Sequence, residues 1–504
     1  MMKFLNKVLV LLALCAGILS CAEKGEPVQK TYSILFTENP VMVGSVGGSV
    51  SSAFVSEHQW TAAAVDAWIS DVSVADGNLN FTVEANPDEA SRDGLIRFTV
   101  SGDSFTKDLI VRQAANTGGL KADNTSITLP TLGNATSVKV TSSENWDVTS
   151  VSVDWIEAVR KNSTTLELKA APNYTGSVRT GEVKVETASK KQSLTFSVKQ
   201  EADNASFAGA SSLMGRKFVH KSSGLVSKVL LEKFYTPEDN VNALEMQFHG
   251  VDGSAVQPFS IFLFEVDLTG DVTILTTCVN DDPASIKTTD AEVTAVAPIR
   301  DQLHAMQAKR PHLDVICGVN GDFCWGTAST TSTHTNNFLH GIMYKDGVCL
   351  KNTFDGGSPC TVFAMMKDGT ARIMTQAEYA SDKAGIAEAL GGRQILMEAG
   401  QPINFTDTRL EPRTAVGVSK DGKKVYLLVV DGRRSSYSVG ASYEFLVKIF
   451  RCFDVYEAIN LDGGGSSTFL IKNASASKGF ETRNRPTDGT GDRAVPNGLA
   501  VVKK

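Results

Sequence analysis

Asp462 heads the stretch Gly463-Gly464-Gly465-Ser466-Ser467 and directly follows the run Ala458-Ile459-Asn460-Leu461. Three glycines let a backbone approach a ligand closely and aim several N–H groups at an anion, and the two serines add hydroxyl donors. No lysine follows, so this is not a nucleotide-type phosphate loop. A plain hairpin turn would use similar residues, but an acid and glycines fed by a buried-type strand argue for a site. Three other clusters share this half of the chain. Asn320-Gly321-Asp322-Phe323 follows the apolar run Asp314-Val315-Ile316-Cys317-Gly318 and sets an amide beside a carboxylate, though Asn-Gly alone is also a turn signal. In Glu411-Pro412-Arg413-Thr414-Ala415, the planar fork of Arg413 suits two phosphate oxygens at once, or equally a surface ion pair. Asp431-Gly432-Arg433 ends the continuously apolar Val425–Val430, so Asp431 is either a site acid or the start of a turn.

Something must position these clusters. Their half of the chain alternates strand-like runs, such as Phe259–Val266 and Val425–Val430, with two stretches at helical spacing. Val293–Lys309 is one, stopping before Arg310-Pro311, and Tyr443–Arg451 is the other. Residues 225–504 therefore read as a mixed α+β domain of catalytic type. At 504 residues the chain is too long for one core. Apolar content of 42% and charged content of 21% are ordinary for a globular protein. A net charge of −7 without a basic stripe argues against a nucleic-acid partner.

The first part is repetitive. Trp68-Ile69 recurs as Trp155-Ile156, Arg92-Asp93-Gly94 as Arg179-Thr180-Gly181, and Gln113 as Gln200, all 87 residues apart; Trp60 matches Trp146 at 86. Apolar and polar residues alternate in Leu79–Glu84, Leu95–Val100 and Leu194–Lys199. Residues 30–116 and 120–203 thus read as two all-β, Ig-like sandwiches, with the second tryptophan of each copy, Trp68 and Trp155, expected in the core. Small polar residues make 204–224 a linker.

Lys3 and Lys7 precede the short apolar run Val8–Leu19, which is too short to cross a bilayer. It ends in Ile18-Leu19-Ser20-Cys21, which resembles a bacterial lipobox. Residues 1–21 are then a signal peptide, and Cys21 the lipidated first residue of the mature protein. That implies an exported lipoprotein held at a bacterial outer membrane, on its periplasmic face or the cell surface, with the lipid as membrane contact. After Cys21 six cysteines remain, all beyond residue 277; Cys349 and Cys360 flank a glycine-rich turn and are candidates to pair.

The clusters at 320–323, Arg413-Thr414-Ala415, Asp431-Gly432 and Asn460–Ser466, with the closing Arg493–Val501, resemble in order and spacing the phosphodiester glycosidase family, typified by the uncovering enzyme. The repeats resemble BACON domains, which imply a spacer or a carbohydrate- or mucin-binding role; the spacer is favoured. The first resemblance implies cleavage of a sugar-1-phosphodiester between the anomeric carbon and the phosphate oxygen, in glycan processing at the cell envelope. On that reading Asp462, Asp431 and Asp322 are the candidate catalytic acids, and His340 supplies a proton or orients a hydroxyl. Asn320, Arg413, Thr414, Arg433, Gly463, Gly464, Gly465 and Ser466 bind the substrate and its phosphate. Asp322 and Cys324 depart from the family pattern. No metal constellation or cofactor motif is present, although a cation on the aspartates stays open. The alternative is a surface lipoprotein that binds a phosphorylated glycan without cleaving it.

Overall fold

A computed structural model describes residues 31–504 except 89, 117–118, 253–254, 288–293, 328–334, 355–360 and 489–490. Cys21 and the leader lie outside the described residues, as does Cys360; Cys349 is exposed. Contacts divide the chain into two units. One comprises 1–126, 135–168 and 182–197; the other comprises 127–134, 169–181 and 198–504.

In the first repeat, Val41–Val43, Thr106–Gln113, Arg92–Val100 and Trp60–Ala64 form one four-stranded sheet. Leu35–Phe36, Gly48–Val55, Asn78–Val83 and Ile69–Ala75 form another. Period-two burial along Arg92–Val100 sends Ile96 and Phe98 into a shared core with Trp60 and Phe81. Residues 121–200 form two further four-stranded sheets.

The first tryptophan of each copy is the more deeply buried, although Trp68 also packs against its core. Trp60 and Trp146 are the buried pair, 6% and 2% exposed. Trp68 and Trp155 are half-buried. Trp68 lies under the Arg92 guanidinium at 4.3 Å, and a Cβ at Gly94 would come within 2.4 Å of its ring. In the first copy Arg92-x-Gly94 is thus a platform for Trp68. The same arginines hold the repeated glutamines: Arg92 donates to Gln113 at 2.7 Å and Arg179 to Gln200 at 2.8 Å. Each glutamine amide then donates to three backbone carbonyls.

Residues 204–224 do not form a linker. They hold a helix, Leu213–Lys221, whose N-cap Ser212 accepts from the Gly215 N–H. Phe207 and Phe218, both 0% exposed, join the core of the larger unit. A segment short on long apolar runs still buries these two rings.

That unit is chiefly β, not evenly mixed; its described α-helices run only 7 to 11 residues. The helix expected from Val293 begins at Ile299 instead, because Ala297–Pro298 pair as strand with Ala494–Val495. The other expected helix spans Tyr443–Phe450. An eight-stranded antiparallel sheet runs Val226–Glu238, Val241–Asp252, Ala255–Asp267, Lys424–Val430, Arg413–Ser419, Val455–Asn460, Ile395–Glu398 and Gln401–Pro402. One face packs on helices Leu213–Lys221 and Tyr443–Phe450. The other packs on two five-stranded sheets. One of these runs Val272–Cys278, Asn497–Lys503, Asp314–Asn320, Phe469–Lys472 and Phe480–Thr482.

Candidate active site

Two strands from facing sheets end together. Asp314–Asn320 lies between Asn497–Lys503 and Phe469–Lys472, while Val455–Asn460 pairs with Arg413–Ser419. Their following loops are stitched by backbone, the Asp462 N–H donating to Gly321 O at 2.9 Å. Asn320 completes the joint. Its amide donates to Asp462 O at 2.7 Å, and its oxygen accepts from Thr414 Oγ1 at 2.7 Å and Thr468 N at 3.1 Å. Asn320 and Thr414 are both 0% exposed, so they hold the site together and do not face a ligand.

The joint sets Asp322 and Asp462 close enough to feel one another's charge. Asp322 is buried; its oxygens accept from Phe323 N and Gly341 N, each at 2.7 Å. A Cβ at Gly391 would come within 2.6 Å of Asp322 Oδ2, so glycine there leaves room for the carboxyl. Burial pushes Asp322 up to about 7; the two N–H groups and Lys351 pull it back, and Asp462 pushes it further. Asp462 is half-buried and accepts from Gly463 N at 2.9 Å. Desolvation lifts it to about 6, against the Ser466 hydroxyl, Arg493, the Gly463 N–H and Arg393.

Two arginines thus sit by Asp462 that the sequence reading did not assign. Arg393 follows strand Ile386–Gly392; its Nε donates to His340 Nε2 at 3.2 Å, and its guanidinium lies 5.1 Å from the Phe323 ring centre. Arg493 donates to Ser466 Oγ at 3.3 Å and pairs with Asp488. A Cβ at Gly465 would come within 2.2 Å of both Arg493 and Asp488, so the middle glycine makes room for that pair. Gly-Gly-Arg at a strand end was the available signal for Arg393. Arg493 lay inside the closing segment that carried the family resemblance.

Other expected residues take different places. The Arg413 side chain is turned away from Asp462. Its guanidinium donates to Ala441 O at 3.1 Å and covers the Tyr443 ring at 4.3 Å. Strand alternation is the cause: Thr414 points to Asn320, so Arg413 must point to the opposite face. Asp431 is buried with both oxygens filled, by Asn484 Nδ2 at 2.9 Å, Tyr437 OH at 3.0 Å and Arg485 N at 2.7 Å. Burial raises its pKa against those donors. It anchors the loops around 437 and 484 and presents no open oxygen to a substrate. His340 is buried, with Nε2 accepting from Arg393, so that atom is not a proton donor. Arg433 is exposed, paired with Glu411 and close to Gly464. The expected N–H cradle is partly spent internally, since Gly464 N donates to Pro412 O at 2.8 Å and Gly463 N to Asp462. Ser466 is buried under Arg493. Among the described residues no three acids, histidines or cysteines gather as a metal site.

Residues 314–502 match the family model for phosphodiester glycosidases. Residues 58–114 and 141–201 match the BACON model, described as a putative binding domain. The chain therefore carries one segment that matches phosphodiester glycosidases behind two that match BACON domains. A Bos taurus N-acetylglucosamine-1-phosphodiester alpha-N-acetylglucosaminidase is 29% identical over 161 residues, 26% of this chain and only 30% of the bovine protein's length. Among solved structures, the catalytic domain of the zebrafish enzyme of that name, auto-inhibited by its pro-peptide, aligns with 54% of this chain and 87% of its own at 19% identity and TM-score 0.38. A hypothetical protein from Synechocystis aligns with 93% of this chain and 100% of its own at 10% identity and TM-score 0.36.

Proposed function

We propose that the phosphodiester glycosidase segment hydrolyses a sugar-1-phosphodiester. Water adds at the anomeric carbon, the bond from that carbon to the phosphate oxygen breaks, and the electron pair leaves with the phosphate. The products are a free sugar and a phosphate monoester. The observation that carries this reading is a buried carboxyl, Asp322, and a half-buried one, Asp462, held on loops joined by the Asp462 N–H to Gly321 O bond, with Arg393 and Arg493 beside the more open one. Between about pH 6 and 7 Asp322 keeps its proton while Asp462 has lost its own.

Asp462 acts at the anomeric centre, as nucleophile or as base toward water. Asp322 keeps the proton in the deeper position, which spares Asp462 a second charge. Developing charge on the leaving phosphate needs fixed donors more than it needs a proton. Arg393 and Arg493 take the part first given to Arg413, with Arg433 at the exposed rim by Gly464. His340 positions Arg393, and Asp431 positions the loop behind the site. Export as a Cys21 lipoprotein at the outer membrane, with glycan processing at the envelope, completes the proposal; the BACON segments serve as spacer or glycan binder.

The test is release of free sugar from a panel of α- and β-linked sugar-1-phosphodiesters by the full chain, in water enriched in heavy oxygen. Label in the sugar supports the proposal. Label in the phosphate makes the protein a phosphodiesterase instead. Binding without turnover across the panel moves the assignment to a glycan-binding lipoprotein.

A further inference from the structure

A second pocket lies outside the residues assigned to the reaction. On strands Val226–Glu238, Val241–Asp252 and Ala255–Asp267, the register sets two cross-strand rows side by side: Leu231, Gln247 and Ser260, then Lys233, Glu245 and Phe262. Tyr437, Arg483 and Arg485 close over them around about 180 Å³. The roof is fixed by hydrogen bonds. Arg483 grips Glu245 at 2.6 and 3.0 Å, and the hydroxyls of Tyr437 and Ser260 meet at 3.0 Å. Arg485 lies 4.3 Å above the Tyr437 ring.

Within the lining, Lys233, Arg483 and Arg485 face one carboxylate, Glu245, which Arg483 already occupies. Just outside it, Glu481 pairs with Arg483 at 2.7 Å and lies in the field of Lys233, and the buried Asp431 carboxylate accepts from Tyr437 OH and the Arg485 N–H. Among the described residues neither the Lys233 ammonium nor the Arg485 guanidinium makes a direct ion pair, and an anionic group between them would supply one. Its volume is below the ~300 Å³ at which drug-sized sites begin, so it suits a single ring. The Phe262 and Leu231 side chains offer an apolar floor, and the Gln247 amide offers a partner for a sugar hydroxyl. Asn484, between the two roof arginines, donates to Ser467 O at 2.9 Å and to Asp431, so the roof is hydrogen-bonded to the Asp462 loop.

We propose that this pocket is a subsite for one hexose ring bearing a negative group, a uronate or a sugar phosphate, belonging to the glycan that the protein processes. The choice of a sugar rests on the proposed function; the demand for an anion rests on the lining alone.

The experiment uses the full chain carrying Asp462→Asn, titrated calorimetrically with glucose, glucuronic acid, glucose 6-phosphate and inorganic phosphate. Lys233→Gln and Arg485→Gln are then added singly; both side chains are exposed, so the fold survives. Binding of an acidic hexose that each substitution weakens about tenfold, while Arg393→Gln leaves it unchanged, is the expected result. Tighter binding of the uronate or of the sugar phosphate names the source of the charge. Equal binding of glucose, or binding untouched by both substitutions, overturns the subsite. Inorganic phosphate binding as tightly as the sugar phosphate overturns its sugar specificity. Absence of sugar-1-phosphodiester hydrolysis by the unsubstituted chain, alongside intact acidic-hexose binding, counts against the catalytic reading only.

Discussion

The repeated sandwiches and the larger unit bury polar groups by opposite rules. In the sandwiches the buried polar residues are amides and hydroxyls without charge, the amides Gln113, Gln200, Asn86 and Asn173 being bonded to backbone, while ion pairs such as Arg97–Asp108 stay at the surface. In the larger unit carboxyls are buried, and burial raises Asp322, Asp431, Asp462 and Glu388. An amide satisfied by backbone is inert. A desolvated carboxyl stores a cost that chemistry can use. Within the larger unit the rule splits again: Asp431 has both oxygens filled, whereas Asp462 is the half-buried one.

That second split gives the largest expected effect. Asp462→Asn should lower turnover of a sugar-1-phosphodiester about a thousandfold or more while leaving the melting temperature within a few degrees. Asp431→Asn should do the reverse, destabilising the larger unit by about 3 kcal/mol by unpairing buried donors. Parallel turnover and thermal denaturation of both variants decide it. Identical profiles would dissolve the distinction between an acid that reacts and an acid that anchors.

Asp462 was legible because acid, glycines and serines stand together in sequence, and the two-repeat plan because its landmarks keep step. Arg413 was misread because Arg413–Ser419 is buried on both faces, and no polar alternation reveals which face meets the site. Trp68 and Trp155 were set too deep for a similar reason: both tryptophans of each copy recur, and spacing alone does not say which is the more buried ring. Arg393 was missed because its role depends on His340 and Phe323, which lie more than fifty residues away along the chain.

The next effect is on stability against pH. The native fold holds Asp322 protonated up to about 7, whereas the unfolded chain releases that proton near 3.8. Between those values the native state binds more protons, so stability of the larger unit falls as pH rises, on the order of 4 kcal/mol for this group. Asp462 adds a smaller fall ending near 6. Urea unfolding of the full chain at pH 4.5 and 8, followed by a probe in each unit, should show the loss in the larger unit alone. Asp322→Asn should reduce it, leaving the smaller falls from Asp462, Asp431 and Glu388. Sandwiches that weaken equally over this range would break the comparison. In the same range, kcat/KM should climb through pH 6 as Asp462 ionises.

The smallest effect sharpens the other half of the comparison. Gln113 and Gln200 each accept from an arginine and donate to three carbonyls, with matching distances in the two copies. If the repeat is a physical unit, Gln113→Ala and Gln200→Ala should cost the same, about 1–3 kcal/mol each by urea denaturation. Neither should change turnover, because the glutamines touch backbone and an arginine and no reacting group. The two losses should also add in the double variant, as distant sites do. A Gln200→Ala that slows turnover without unfolding would mean that the second sandwich is more than a spacer, and the spacer reading would give way to a functional coupling between that sandwich and the segment that matches phosphodiester glycosidases.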